Sequence, residues 1–274
     1  MNKCLALSLA LCLAWASPAW GGLAHDRIFR PSDEIPKSEI WVTDPPEQIS
    51  IQTSNGLRVN GLFWKGRLAT LVVVFQGNAG NQYFTALATH RLRLEGYSVL
   101  IAGYRGYGNN PGRPSEIALK EDSKAWIALA RSIGFADSQI ILAGISLGSA
   151  LALEGSLHSK PKGVVLFSAF TSISALAPGP LRMFIKDKFD NRRVARCVTS
   201  PVYLVHGERD KLVPVEMHNT LLQDLQPLSL GSIVADGHAV SDVTFLKETV
   251  KAVTYFDSVV ADPRKRKQCG KEAF

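Results

Sequence analysis

The sequence predicts an α/β fold, a mostly parallel sheet covered by helices on both faces. Two observations carry this. Apolar runs of strand length alternate with stretches of helical spacing from residue 48 to 260, the pattern of successive βα units. Several runs, LVVVF at 71–75 among them, are continuously apolar, as expected of strands buried on both faces. The chain of 274 residues is long enough for one large domain or two small ones, and 46% hydrophobic with 20% charged residues suits a packed core.

The elements follow in order. Residues 49–53 and 57–64 alternate in apolarity around Ser54-Asn55-Gly56, which predicts an antiparallel hairpin at one edge. After the strand at 71–75, Leu87, Leu92 and Leu94 keep helical spacing as far as Gly96, and 97–102 is the next strand. Ser115, behind Pro114, can cap a helix running through Leu119, Trp126, Ile127 and Leu129 to Gly134. A strand at 140–143, a helix at 150–157 and strands at 163–168, 202–205 and 228–234 come next, and a helix at 242–259 closes the fold. Between 169 and 200 the alternation lapses. An insertion there sits above the C-terminal edge of the sheet, where ligands bind in open α/β sheets.

The first residues, MNKCLALSLALCLAWASPAWGG, have the form of a secretory signal: Lys3, an apolar run at 5–15, and Ala14-Trp15-Ala16 or Ser17-Pro18-Ala19 for cleavage. The organisation predicted is a signal at 1–19, an extension at 20–47, the domain at 48–260 with a short cap at 171–199, and a basic tail at 261–274. Export to the periplasm or beyond is expected. The run is shorter than the roughly 20 residues of a membrane span, with an uncleaved anchor as the alternative. Cys12 follows the bulky Leu11, so lipid attachment is not expected. Cleavage leaves Cys197 and Cys269, free or paired. The formal net charge is +7, and the tail ADPRKRKQCGKEAF reads as a solvated end or as a contact for anionic lipid. No basic stripe with interleaved aromatics points to nucleic acid.

Chemistry enters at ILAGISLGSAL, residues 141–151, where Gly144-Ile145-Ser146-Leu147-Gly148 breaks an apolar strand. Gly-x-Ser-x-Gly at a strand-to-helix turn is the spacing of a nucleophile elbow, which lifts a serine hydroxyl clear of the sheet. A helix N-terminus with two packing glycines is the plainer alternative. A serine needs a base, and the base needs a carboxylate to orient it. In the order serine, acid, histidine the chain offers Asp210 in HGERDKLVP and His238 in ADGHAVSD, each after a predicted strand. Glu208 is the second choice of acid. Asp236 and Asp242 fall too late in the order, His90, His158 and His218 fall on helices, and His25 precedes the domain. His206 ends a strand and is expected to pack beneath the Asp210 loop. An oxyanion calls for backbone N–H donors. Leu147, directly after the serine, supplies one, and Asn78 in VVVFQGNAGNQ the other. A plain glycine-rich turn is the alternative there; a phosphate cradle would end in Gly-Lys-Ser/Thr, and this segment does not.

Taken in order, FQGNAGN, YRGYGNNPGRPSE, GISLGSA, HGERDKLVP and DGHAVSD resemble the α/β-hydrolase superfamily, in particular the branch holding acyl-protein thioesterases and related bacterial serine hydrolases. The resemblance spans 48–260. It implies an eight-stranded α/β-hydrolase fold, Ser146, Asp210 and His238 as the catalytic triad, and no metal or organic cofactor. That branch typically has His-Gly-Asn where this chain has Gln76-Gly77-Asn78, a departure that leaves the Asn78 amide and bears on substrate preference. The 104–108 loop is a pocket wall or, preferred, a structural loop whose Arg105 ties down carbonyls. The cap carries Leu181, Met183, Phe184 and Ile185 among six basic and two acidic residues. It is either a lid helix or a rest on anionic membrane. The expectation is an exported serine hydrolase acting on a small-molecule or acylated ester or thioester. A serine peptidase for short peptides and a non-catalytic binding module are the rivals.

Overall fold

The computed structural model describes residues 25–177, 179–225 and 228–260. The signal segment 1–19, the basic tail 261–274 and Cys269 lie outside them. One sheet of eight strands organises the chain: β1 (Glu47–Gln52), β2 (Arg58–Trp64), β3 (Leu71–Phe75), β4 (Ser98–Ala102), β5 (Ile140–Ile145), β6 (Gly163–Phe167), β7 (Val202–Gly207) and β8 (Ser229–Val234). Their order across the sheet is β8-β7-β6-β5-β3-β4-β2-β1. The β1–β2 hairpin and the β2–β4 pair are antiparallel, and every other pair is parallel.

The longer helices are α1 (Gln82–Leu94), α2 (Glu116–Ser132), α3 (Leu147–Leu157), α4 (Val215–Asp224) and α5 (Asp242–Val260). Strand β3 shows why the sheet must be covered twice. Leu71, Val73 and Phe75 face a core built with Trp126, Leu151 and Leu221 of α2, α3 and α4. Val72 and Val74 face a second core with Ala86, Leu92, Phe245 and Phe256 of α1 and α5. All five β3 residues are fully buried, which accounts for the continuous apolar run. The Ser115 hydroxyl caps α2 by accepting from Ala118 N, as its position after Pro114 suggested, and Asn81 caps α1 by accepting from Tyr83 N and Phe84 N.

The insertion at 171–199 differs in character from a free-standing lid. It makes three short helical turns at Ile173–Leu176, Gly179–Phe184 and Asn191–Ala195. Ile185, Phe189, Val194, Ala195 and Val198 are buried in the same core as α2, α3 and α4. Asp187 accepts from the Glu116 amide at the start of α2 at 2.6 Å. Arg192 and Arg196, two of the six cap cations, both pair with Asp224 of α4, so the basic surface is smaller than a count of the cap alone suggests. Met183 is 85% exposed.

The extension holds a further departure from expectation. Arg30–Pro31 forms a two-residue strand parallel to Ala79–Gly80, just past the end of β3. Residues 28–34 thus form a strap beside the C-terminal edge of the sheet. Among the described residues no helix is long and apolar enough to cross a membrane.

Candidate active site

β5 ends in Ser146, which has φ +50° and ψ −112°. A non-glycine residue there is strained, and the surroundings hold it. Its N–H donates to Phe167 O of β6 at 2.8 Å, and α3 begins at the next residue. The two flanking glycines are required by close approach. A Cβ on Gly144 would meet Gly148 O at 2.5 Å, and one on Gly148 would overlap the carbonyl oxygens of Phe75 and Gln76. Helix α3 can therefore start hard against the ends of β3 and β5.

The structure brings the three predicted residues together. His238 Nε2 lies 3.0 Å from Ser146 Oγ, and His238 Nδ1 lies 2.8 Å from Asp210 Oδ2. The carboxylate can only accept, so Nδ1 carries the proton and Nε2 is left to accept from the serine hydroxyl. The other carboxylate oxygen accepts from the amides of Leu212 (2.8 Å) and Val213 (2.9 Å). Burial alone would raise the Asp210 carboxyl, but the Val213 and Leu212 amides and the His238 ring outweigh it, and the net shift is downward. Glu208 is exposed and takes no part. His206 packs beneath this loop, fully buried, with Nε2 donating to Val213 O at 2.9 Å.

The predicted oxyanion loop lies over the serine. A Cβ built on Gly77 would stand 3.8 Å from Ser146 Cβ, in ordinary contact. Leu147 N, directly after the serine, and Asn78 N, next to Gly77, have no hydrogen-bond acceptor among the described residues.

Two features escape a reading of the sequence. Ser168, at the end of β6, is fully buried at φ +51°. Its hydroxyl donates to the His238 carbonyl at 2.7 Å, so it holds the main chain of the histidine loop. The readable signal is an apolar strand ending in serine, the same pattern as β5. The 104–108 loop is structural, as preferred, but with different partners. Among the described residues Arg105 binds no carbonyl: it pairs with the Asp122 carboxylate through Nε (2.7 Å) and Nη2 (2.5 Å). The carbonyls are held by the tyrosines, Tyr104 Oη donating to Gln76 O and Tyr107 Oη to Asn78 O, both at 2.9 Å. Among the described residues no group of three or more His, Cys, Asp or Glu could hold a metal ion.

Known proteins share both sequence and fold. The family profile described as serine aminopeptidase, S33 matches residues 66–192. An uncharacterized protein of Mycobacterium tuberculosis is 32% identical over 206 residues, 71% of this chain and 73% of its own. Alpha/beta hydrolase domain-containing protein 17B of Xenopus laevis is 33% identical over 112 residues, 40% of this chain and 39% of its own. The chain belongs to the α/β-hydrolase superfamily. A solved Pyrococcus furiosus esterase shares the fold of this hydrolase with a TM-score of 0.67 at 18% identity, covering 84% of this chain and 98% of that one. The C-terminal edge of this hydrolase sheet carries Ser146, Asp210 and His238.

Proposed function

We propose that this chain is an exported serine hydrolase that cleaves carboxylic esters or thioesters through an acyl-enzyme. The observation that carries the reading is the continuous relay from Ser146 Oγ through His238 to Asp210, at 3.0 and 2.8 Å. His238 Nε2 takes the hydroxyl proton as Oγ attacks the acyl carbon. The tetrahedral oxyanion receives hydrogen bonds from Leu147 N–H and Asn78 N–H. On collapse the Nε2 proton passes to the departing alcohol or thiol, and the acyl group stays on Ser146. Water, giving a proton to His238, then attacks the acyl carbon. The acid leaves and the proton returns to Oγ. Asp210 stays ionised and favours the imidazolium formed in each step.

Ester cleavage is supported by the esterase fold relative, thioester cleavage by the sequence resemblance to acyl-protein thioesterases. Export rests on the apolar leader. Exposed Met183, with exposed Arg182 beside it, supports a peripheral rest on anionic membrane. A second reading, aminopeptidase action on short peptides, is favoured by the family profile alone. Turnover of p-nitrophenyl esters of rising chain length, acyl thioesters and aminoacyl anilides separates these activities. Native protein should hydrolyse esters or thioesters. Hydrolysis of anilides alone would replace the ester reading with the peptidase one. A rate unchanged in Ser146→Ala would remove both.

A further inference from the structure

The proposed oxyanion donor at Asn78 sits in a loop with a weak point. Its N–H belongs to the Gly77–Asn78 peptide, and Gly77 has no Cβ to restrict rotation. A shift of the main chain on either side of that peptide would carry the N–H away from Ser146. That shift is prevented only where the carbonyls flanking the peptide are held.

Both are fixed, and from two directions. On the N-terminal side, the Gln76 carbonyl accepts from Tyr104 Oη at 2.9 Å. On the C-terminal side, the Asn78 carbonyl accepts twice, from Tyr107 Oη at 2.9 Å and from Arg30 N of the strap at 2.8 Å, which uses both its lone pairs. The strap is itself tied down. Ser32 N donates to Gly80 O, and Ser32 O accepts from Gly108 N and from Asn81 Nδ2. Asp33 accepts from Asn109 N at 2.8 Å. Tyr104 and Tyr107 are buried and meet edge to face with centroids 5.6 Å apart, so neither hydroxyl is free to wander. Burial pushes both phenols well up, and they remain donors throughout the neutral range.

We infer that Tyr104, Tyr107 and the N-terminal strap are positioning groups for the oxyanion donor, clamping the carbonyls on either side of Gly77–Asn78 so that the Asn78 amide stays presented to Ser146. None of them touches the substrate. They act through the fraction of molecules whose amide is in place, and so on the transition state rather than on ground-state binding. The inference rests on the acyl-enzyme reading above.

The test is Tyr107→Phe, with Tyr104→Phe as a second variant should the first fail to fold. Each removes one hydroxyl and keeps the ring. For the folded variant, kcat/KM on an ester should fall about tenfold, a part of the 10²–10³ that loss of a whole donor brings. The Ki of a boronic acid or trifluoromethyl ketone should rise by the same factor, with KM within about twofold of native. A folded variant with native kcat/KM and Ki overturns the inference, and so does one whose melting temperature falls while its rates hold. Fluorophosphonate labelling of native protein separates this failure from the larger one. Labelled native protein with unslowed variants overturns the clamp alone, whereas native protein that takes no label overturns the acyl-enzyme and the clamp with it.

Discussion

Two serines close neighbouring strands of the sheet, and the chain uses them differently. Ile145 and Phe167 are paired across β5 and β6, so Ser146 and Ser168 sit side by side one residue on. Both have φ near +50°, at +50° and +51°. Both donate their N–H to the next strand, Ser146 to Phe167 O and Ser168 to Val205 O. The backbone device is the same, repeated one strand over. The two residues after each serine set them apart. Leu147 and Gly148 start a helix at once, with no side chain on Gly148 to collide with β3, and the Ser146 hydroxyl is left partly open beside His238 Nε2. Ala169 and Phe170 are buried and lead into the cap, and Ser168 is closed over, its hydroxyl turned to the His238 carbonyl. A positive-φ turn at a strand end presents a hydroxyl. Its neighbours downstream decide whether it is offered to a substrate or used as a fastener. Here both serve one histidine, the first at its ring and the second at its main chain.

The sharpest way to break that comparison is to remove each hydroxyl in turn. Ser146→Ala should lower turnover by about 10⁵ or more with a urea midpoint close to native, because alanine keeps the same backbone. Asp210→Asn should come next, at about 10⁴, read in the same ester assay, since an amide no longer holds the useful tautomer of His238. Ser168→Ala should differ in kind. The His238 carbonyl loses its side-chain donor, so stability should fall by about 1–3 kcal/mol and turnover only about tenfold. Equal losses of turnover at the two serines, or no change in either property at Ser168, would dissolve the distinction.

The last effect falls on stability alone. His218 of α4 is buried beside His206, ring centroids 5.8 Å apart. Burial first, and then His206, push it down to about 4. Acid therefore protonates the unfolded chain before the folded one. The stability is whole above the ordinary histidine value of about 6.5 and is lost as pH falls towards 4, on the order of 3 kcal/mol at most. His218→Leu should flatten the stability profile in that window, as urea titrations at stepped pH would show. A profile as steep as native would assign the acid loss to other groups.

Much of this site is legible in the sequence. Continuous apolar runs mark strands that are buried on both faces, and the elbow glycines mark close contacts that any side chain would break. The order Ser146, Asp210, His238 follows from successive strand ends along one edge. The features that stay hidden depend on long-range geometry. The strap at 28–34 has one apolar pair, Ile28 and Phe29, in a polar stretch, and no periodicity announces a two-residue strand. The partner of Arg105 is a carboxylate 17 residues on, and Asp224 lies beyond a whole βα unit from Arg192 and Arg196. Such pairings are fixed by how loops cross the sheet edge, not by local pattern. Ser168 is legible in type but not in role, because it lacks the glycine that marks Ser146.

The central claim, that Ser146 is the nucleophile of an acyl-enzyme, meets its most direct test in fluorophosphonate labelling followed by mass analysis of the digested protein. The account predicts one adduct, on the peptide containing Ser146, abolished in Ser146→Ala and slowed in His238→Gln. An adduct on another residue, or folded native protein that takes none, would contradict it.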